Sequence, residues 1–204
     1  MDNEYIESLR KQVKKALKKD KQRYKHTLGV ADTAACLAMR YDIDMQSAYI
    51  AGLLHDCAKC VPDEQKIKEC EENGIEVSPS ERTSPYLLHS KLGAFYASSI
   101  YNINDKNICD AIKYHTTGRA DMTMLEKIIF VADYIEPYRN KADDLDKIRS
   151  IAFKNINETI YEITKDTLDY LNKKHATIDP ATIATYEFYK NVLLRDACSY
   201  ILNL

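Results

Sequence analysis

Apolar positions recur at three- and four-residue intervals along most of the chain, and no strand pairs or internal repeats are evident. The first such segment, from about Glu4, carries Ile6, Leu9, Val13 and Leu17 on one stripe, with Lys11, Lys14, Lys15, Lys18 and Lys19 opposite. A lysine run of this kind reads first as a solvated face. A second helix is predicted from Lys21 to Arg40, with Tyr24, Leu28, Ala31, Ala35 and Leu37 near its buried side. Asp44 caps a third, Met45 to about Cys57, which is apolar nearly all round and therefore central. Val61-Pro62-Asp63-Glu64 restarts the chain as a charged helix that Asn73-Gly74 terminates, and Ile75 to Thr83 has no clear period and reads as a loop. Ser84-Pro85 marks the start of a helix Tyr86 to Tyr101, Asn104 that of Asp105 to Tyr114, and Asp121 that of Met122 to Ile135, closed by Glu136-Pro137. Two longer helices follow, Leu145 to Lys174 with a break near Asn157, and Pro180 to Asn203. Glycine and proline are scarce, five of each, and fall mostly between periodic segments. The expected class is all-α, a helical bundle of the non-coiled-coil type, with residues 1–204 forming a single domain.

Composition narrows the partners more than the fold. The 204 residues are 45% hydrophobic and 29% charged with a formal charge of −2, which argues for a soluble globular protein and against nucleic acid or an anionic membrane as partner. No run of about 18 apolar residues appears, and Met1-Asp2-Asn3-Glu4-Tyr5 offers no apolar segment to be cleaved, so a cytoplasmic location is expected. The six cysteines are then expected to stay reduced. Cys57-Ala58-Lys59-Cys60 has the spacing of half a zinc site or a redox pair, but no second Cys-x-x-Cys accompanies it. Cys36, Cys109 and Cys198 fall in apolar helical surroundings and read as core residues.

The candidate chemistry centres on Gly52-Leu53-Leu54-His55-Asp56-Cys57-Ala58-Lys59, where an imidazole and a carboxylate stand side by side at the end of an apolar run. Neighbours on a helix point about 100° apart, so the pair shares a target only near the helix end, and a cation is such a target. His26, His89 and His115 fall on three further helices or helix ends, beside small or apolar residues. Asp133 is flanked by Phe130-Val131-Ala132 and Tyr134-Ile135, and an isolated buried carboxylate costs several kcal/mol, about 2 or more, unless paired or metal-bound. Metal ligation satisfies all of these at once. The fifth histidine, His175, reads as a surface residue at a helix C-terminus.

The order His, His-Asp, His, His, Asp on an all-helical chain resembles the HD-domain metal-dependent phosphohydrolase superfamily, over about Tyr24 to Tyr138. His55-Asp56-Cys57-Ala58-Lys59, Tyr114-His115-Thr116-Thr117-Gly118-Arg119, the run Ala132-Asp133-Tyr134-Ile135-Glu136-Pro137-Tyr138-Arg139 and Ile178-Asp179-Pro180-Ala181-Thr182-Ile183 are similar, more narrowly, to the YqeK family of symmetrical bis(5'-nucleosyl)-tetraphosphatases. Cys57 stands where that family suggests an aromatic residue. The resemblance implies that His26, His55, Asp56 and Asp133 hold one divalent cation, and that His89 and His115 hold a second, with Asp56 bridging, or face the substrate phosphate. It implies catalytic roles for Asp56, Lys59, His89 and His115. Substrate contacts are implied for His26, Lys59, His89, His115, Thr116, Asp133, Arg139 and the turn Ile178, Asp179, Pro180, Ala181, Thr182 and Ile183. Asp179 before Pro180 reads equally well as a plain N-cap, and Arg119 as a solvated charge. A mixed imidazole and carboxylate set suits a transition metal, iron foremost, mononuclear or dinuclear, with manganese or zinc as alternatives. The activity implied is cleavage of diadenosine tetraphosphate to two ADP by a metal-activated hydroxide. Other HD-domain activities, a nucleotidase or phosphodiesterase, a non-catalytic nucleotide sensor, and a structural helical protein stay open at this point, as does a homodimer.

Overall fold

The stripe that opens the chain is buried as its spacing predicts: Ile6, Leu9, Val13 and Leu17 are all at or below 5% exposure, on a helix α1 spanning Asn3–Ala16, with Leu17 just beyond it. The computed structural model describes residues 3–140 and 144–202, and those residues form eleven α-helices and one 3-10 turn. The fold is all-α. Asp20 accepts the Arg23 amide to start α2, Lys21–Arg40, and Asp44 accepts the Ser47 amide to start α3, Met45–Leu54. Every residue of α3 from Ala48 to Leu54 is buried, because α1, α2 and the later helices Lys106–Tyr114 and Met124–Ile135 pack against it. Gly52 lets α2 and α3 approach so closely: a Cβ there would lie 2.8 Å from Ala31 Cα.

The chain then builds a wall around α3. α4 covers Asp63–Glu72 and ends at Gly74, whose φ of +67° suits glycine. Beneath it a small satellite core joins Ala58, Cys70, Leu88 and Leu92. Next come α5, Pro79–Thr83, the 3-10 turn Pro85–Leu88, α6, His89–Ser99, α7, Lys106–Tyr114, and α8, Met124–Ile135. Finally α9, Leu145–Ala152, and α10, Ile156–Lys173, pack on α8, and α11, Pro180–Leu202, packs on α10. No helix among the described residues is long and apolar enough to cross a membrane.

Several boundaries differ from the sequence reading. α3 stops at Leu54, not Cys57, so His55 is its C-cap residue. Residues 75–83 are not all loop: Ser78 and Glu81 form a reciprocal capping box around the one-turn α5, too short to show a period. Ser84 makes no side-chain cap, and a 3-10 turn precedes α6. Asp105 rather than Asn104 caps α7. Thr123 rather than Asp121 caps α8, in a second capping box with Glu126, since Asp121 has φ +51° and lacks the extended backbone of an N-cap. The expected break near Asn157 is present, at 153–155, where Asn155 caps α10. α2 is turned so that Thr27, Val30, Ala31, Ala34, Leu37 and Ala38 are buried while Tyr24, Leu28 and Ala35 are only half-buried. Cys36 and Cys198 are exposed, against expectation, because each lies on the outward side of its helix; Cys109 is half-buried. Asn203 lies outside the described residues.

Candidate metal centre

A helix that ends leaves its last carbonyls without amide partners, and a side chain just beyond can donate to them. Three histidines do so here. His55, after α3, donates Nδ1–H to the Gly52 carbonyl at 2.6 Å; His89, after the 3-10 turn, donates to Tyr86 at 2.6 Å; His115, after α7, donates to Ile112 at 2.7 Å. Placing the proton on Nδ1 in each leaves Nε2 as a lone-pair donor pointing inward. His26 follows the same pattern with a different acceptor, its Nδ1 lying 3.1 Å from Glu136 Oε1.

These nitrogens converge on Asp56, which is 2% exposed. Asp56 Oδ2 lies 3.4 Å from His55 Nε2 and 3.9 Å from His26 Nε2, while Oδ1 lies 3.2 Å from His89 Nε2 and 3.8 Å from His115 Nε2. Asp133 Oδ1 is 3.0 Å from His26 Nε2 and 3.9 Å from His55 Nε2. The donor atoms form three overlapping groups, His26 with His55 and Asp56, His55 with His115 and Asp133, and Asp56 with His89 and His115, each within 4.8 Å. Nε2 of His26 and of His55 is buried without a hydrogen-bond partner, close to carboxylate oxygens but not in hydrogen-bonding geometry. A buried acceptor left so is costly, and a cation between the groups satisfies it. The residues therefore fit a divalent metal, with nitrogen and oxygen donors suited to the transition series.

Burial and the His55 and His89 imidazoles push His115 down to about 3, and burial lowers His89 in spite of its bond to Asp56. Burial also works to lower His55, but the Asp56 and Asp133 carboxylates raise it. Against their burial, Asp56 is held well below the carboxylate range by His55, His89 and Lys59, and Asp133 by His26, His55 and Arg139. In chelator-stripped protein the unfolded chain thus binds more protons at His89 and His115 than the folded one below about pH 6.5, and at the two aspartates below about pH 4. His55 contributes in the opposite sense. Folding stability is expected to fall as pH drops from about 6.5 towards 3, read as a declining urea midpoint across that range. A midpoint that rises on acidification contradicts this assignment.

Cations flank the cluster. Lys59 Nζ lies 3.1 Å from His89 Nε2 and 3.8 Å from Asp56 Oδ1, and burial lowers its pKa. Arg139 Nη2 meets Asp133 Oδ1 at 3.2 Å. Thr116 Oγ1 sits 3.2 Å from His89 Nε2 and 3.1 Å from His115 Nε2. Of the predicted turn at 178–183, Asp179 is an N-cap for α11, accepting the Ala181 amide at 2.8 Å, and also binds Ser80 Oγ. Thr182 is buried, Ile178 and Ala181 half-buried, and Pro180 and Ile183 exposed. None of the six touches the histidine and aspartate cluster through a described hydrogen bond or ion pair. The start of α11 is instead brought against the His115 turn by Thr185, which donates to the Thr117 carbonyl at 2.9 Å and takes the room that a Cβ at Gly118 would need. Arg119 is not a solvated charge: it pairs at 2.9 Å with Glu126, which is 1% exposed. His175 is exposed, as expected.

Two site residues escaped the sequence reading. Arg23 Nη1 binds Asp56 Oδ2 at 2.9 Å, and Glu136, read as a helix stop and as part of the family-like run but given no site role, is 1% exposed beside His26. The one available signal was position: Arg23 precedes His26 by one turn, and Glu136 follows Asp133 by three residues.

Buried histidines and aspartates gathered from separate helices of an all-α bundle are the mark of an HD-domain protein. The HD domain family matches residues 23–138, and this chain belongs to it. Within that class it is 38% identical over 166 residues to the symmetrical bis(5'-nucleosyl)-tetraphosphatase of Bacillus subtilis (strain 168), covering 81% of this chain and 88% of the relative. It is 40% identical over 185 residues to the protein of the same description from Staphylococcus aureus (strain NCTC 8325 / PS 47), covering 86% and 92%. Its fold is similar, at a TM-score of 0.87 and 36% identity, to the crystal structure of a predicted HD superfamily hydrolase involved in NAD metabolism from Clostridium acetobutylicum, covering 91% of this chain and 97% of that one.

Proposed function

We propose that this chain cleaves diadenosine tetraphosphate and related dinucleoside polyphosphates symmetrically, one water and one substrate giving two ADP, as a metal-dependent phosphohydrolase of the cytoplasm. The observation that carries the reading is the convergence of four imidazole Nε2 atoms and two carboxylates, two of those nitrogens buried without a partner. Its agreement with the activity for which the bacillary and staphylococcal relatives are named supports it. A divalent transition metal held there, iron foremost with manganese or zinc as alternatives, supplies a Lewis acid that acidifies water and polarises a phosphoryl oxygen.

The chain's own residues do the rest. His26, His55, Asp56 and Asp133 form one half of the holding set, and His89, His115 and Asp56 the other. Four linked phosphates carry several negative charges, which Lys59, Arg23 and Arg139 offset from three sides of the cluster. The Thr116 hydroxyl, between His89 and His115, is placed to donate to a phosphoryl oxygen. The segment 178–183, fixed by Ser80 and Thr185, flanks the nucleoside, so that the C-terminal helices complete the pocket and residues 1–204 work as one domain. Protein reloaded anaerobically with Fe2+ or Mn2+ and incubated with diadenosine tetraphosphate is expected to yield ADP alone. AMP with ATP indicates asymmetric cleavage and overturns the proposal; phosphate release from mononucleotides with the dinucleotide untouched favours a nucleotidase.

A further inference from the structure

We propose that Glu136 is a positioning residue for the cation, fixing the ring of His26 so that its Nε2 faces Asp56 and Asp133; the inference rests on the metal-centre reading above. His55, His89 and His115 each follow the end of a helical segment, where a free carbonyl three residues back holds Nδ1. His26 has no such carbonyl. It stands six residues into α2, Lys21–Arg40, where the carbonyls of the preceding turn are engaged by amides four residues on. An acceptor must come from elsewhere in the fold, and Glu136, at the C-cap of α8, brings Oε1 to 3.1 Å from His26 Nδ1.

Three further features hold that carboxylate in place. Its Oε2 accepts the Tyr138 amide at 2.7 Å. Arg149 of α9 binds the Ile135 carbonyl at 3.0 Å and the Glu136 carbonyl at 2.8 Å. Gly29, one turn beyond His26 on α2, leaves the space: a Cβ there would lie 2.4 Å from Glu136 Oε2 and 3.1 Å from the Tyr138 ring. Among the described residues no lysine or arginine side chain pairs with Glu136, and its side-chain partner is the His26 imidazole. A carboxylate 1% exposed therefore depends on the Nδ1 proton of His26, which commits Nε2 to the metal side. One of the four ligating histidines is thus fixed by a side-chain charge and three by the backbone.

The test uses chelator-stripped full-length protein and Mn2+, with affinity read from the electron paramagnetic resonance signal of free ion. Loss of such a supporting partner typically weakens metal affinity about 10–100-fold, and that is the expected result for Glu136→Ala. Glu136→Gln, which keeps an acceptor oxygen, should lose less. Gly29→Ala should weaken Mn2+ binding with the glutamate itself intact, because its Cβ displaces the carboxylate. Raising Mn2+ to saturation should recover turnover of diadenosine tetraphosphate that the variants lose at limiting Mn2+, a rescue that a general loss of structure does not produce. Thermal melts of the stripped variants identify any that fail to fold, and Glu136→Gln and Gly29→Ala keep the test decisive if Glu136→Ala does. Wild-type affinity in folded variants overturns the role of Glu136 alone. A wild-type chain that takes up no Mn2+ overturns the metal-centre reading, and this inference with it.

Discussion

Asp56→Ala is expected to abolish cation retention and hydrolysis together. Its two carboxylate oxygens face different pairs of histidines, Oδ2 towards His55 and His26 and Oδ1 towards His89 and His115, so removing one side chain dismantles both halves of the centre. Metal catalysis supplies several kcal/mol of transition-state stabilisation, and at one decade per 1.36 kcal/mol its loss lowers turnover by about a thousandfold or more. Breaking a buried pair from one side also costs about 3–5 kcal/mol of stability. Arg23, at 32% exposure, and Lys59, at 28%, regain part of that from water, which places the folding penalty towards the lower end. Metal analysis of the purified variant and product analysis with diadenosine tetraphosphate check both halves; a variant that keeps its metal and its activity refutes the assignment. Lys59→Ala is the counterpart. It should retain the cation and raise KM, since a hydrogen bond to a charged group contributes about 1.5–3 kcal/mol, or about 10–100-fold. Loss of metal from that variant shows the division of roles to be wrong.

Gly52→Ala should destabilise the protein although alanine is the better helix former. The new Cβ meets only backbone, at 2.8 Å from Ala31 Cα, 3.1 Å from Ala31 N and 3.2 Å from the Val30 carbonyl, and no side chain can turn aside to relieve it. Overpacking of this kind costs about 1–3 kcal/mol, more than the ~1 kcal/mol gained from helix propensity once α2 is forced off α3. At about 2–4 °C per kcal/mol for a chain of this size, a melting temperature lowered by several degrees is expected. Gly93→Ala gives the opposite sign. Gly93 is also helical, on α6, but its Cβ would meet Ile112 Cγ2 at 3.4 Å and the His55 carbonyl at 3.5 Å, ordinary contacts, and about 0.5–1 kcal/mol of helix stabilisation should appear. Thermal melts of the two stripped proteins side by side decide it: a Gly52→Ala variant as stable as wild type contradicts the close approach of α2 to α3.

The six candidate ligands were legible in the sequence as histidines and aspartates beside small or apolar residues, where an exposed polar residue is the norm. Arg23 was not, since it sits in a lysine-rich stretch at a helix start and nothing local distinguishes an arginine that reaches Asp56 from one in water. Glu136 was hidden by Pro137, which makes Glu-Pro read as a terminator, while its partner His26 lies 110 residues away. Helix existence followed from periodicity, but caps were misplaced where two cap-forming residues stand close together, as with Asn104 and Asp105 or Asp121 and Thr123. Backbone angles decide between them, and the sequence does not carry those. Cys36 fails for another reason: its neighbours Ala35 and Leu37 are apolar, yet adjacent helical side chains point about 100° apart, so flanking composition does not assign a face.

The places where the helices stop have an electrical consequence. α3 and α7 end one residue before His55 and His115, and Asp133 lies in the last turn of α8, so three C-terminal poles, each equivalent to about half a negative elementary charge, point into one small volume. Set against the opposite pole of α6, which begins at His89, the backbone contribution there stays negative and favours a cation.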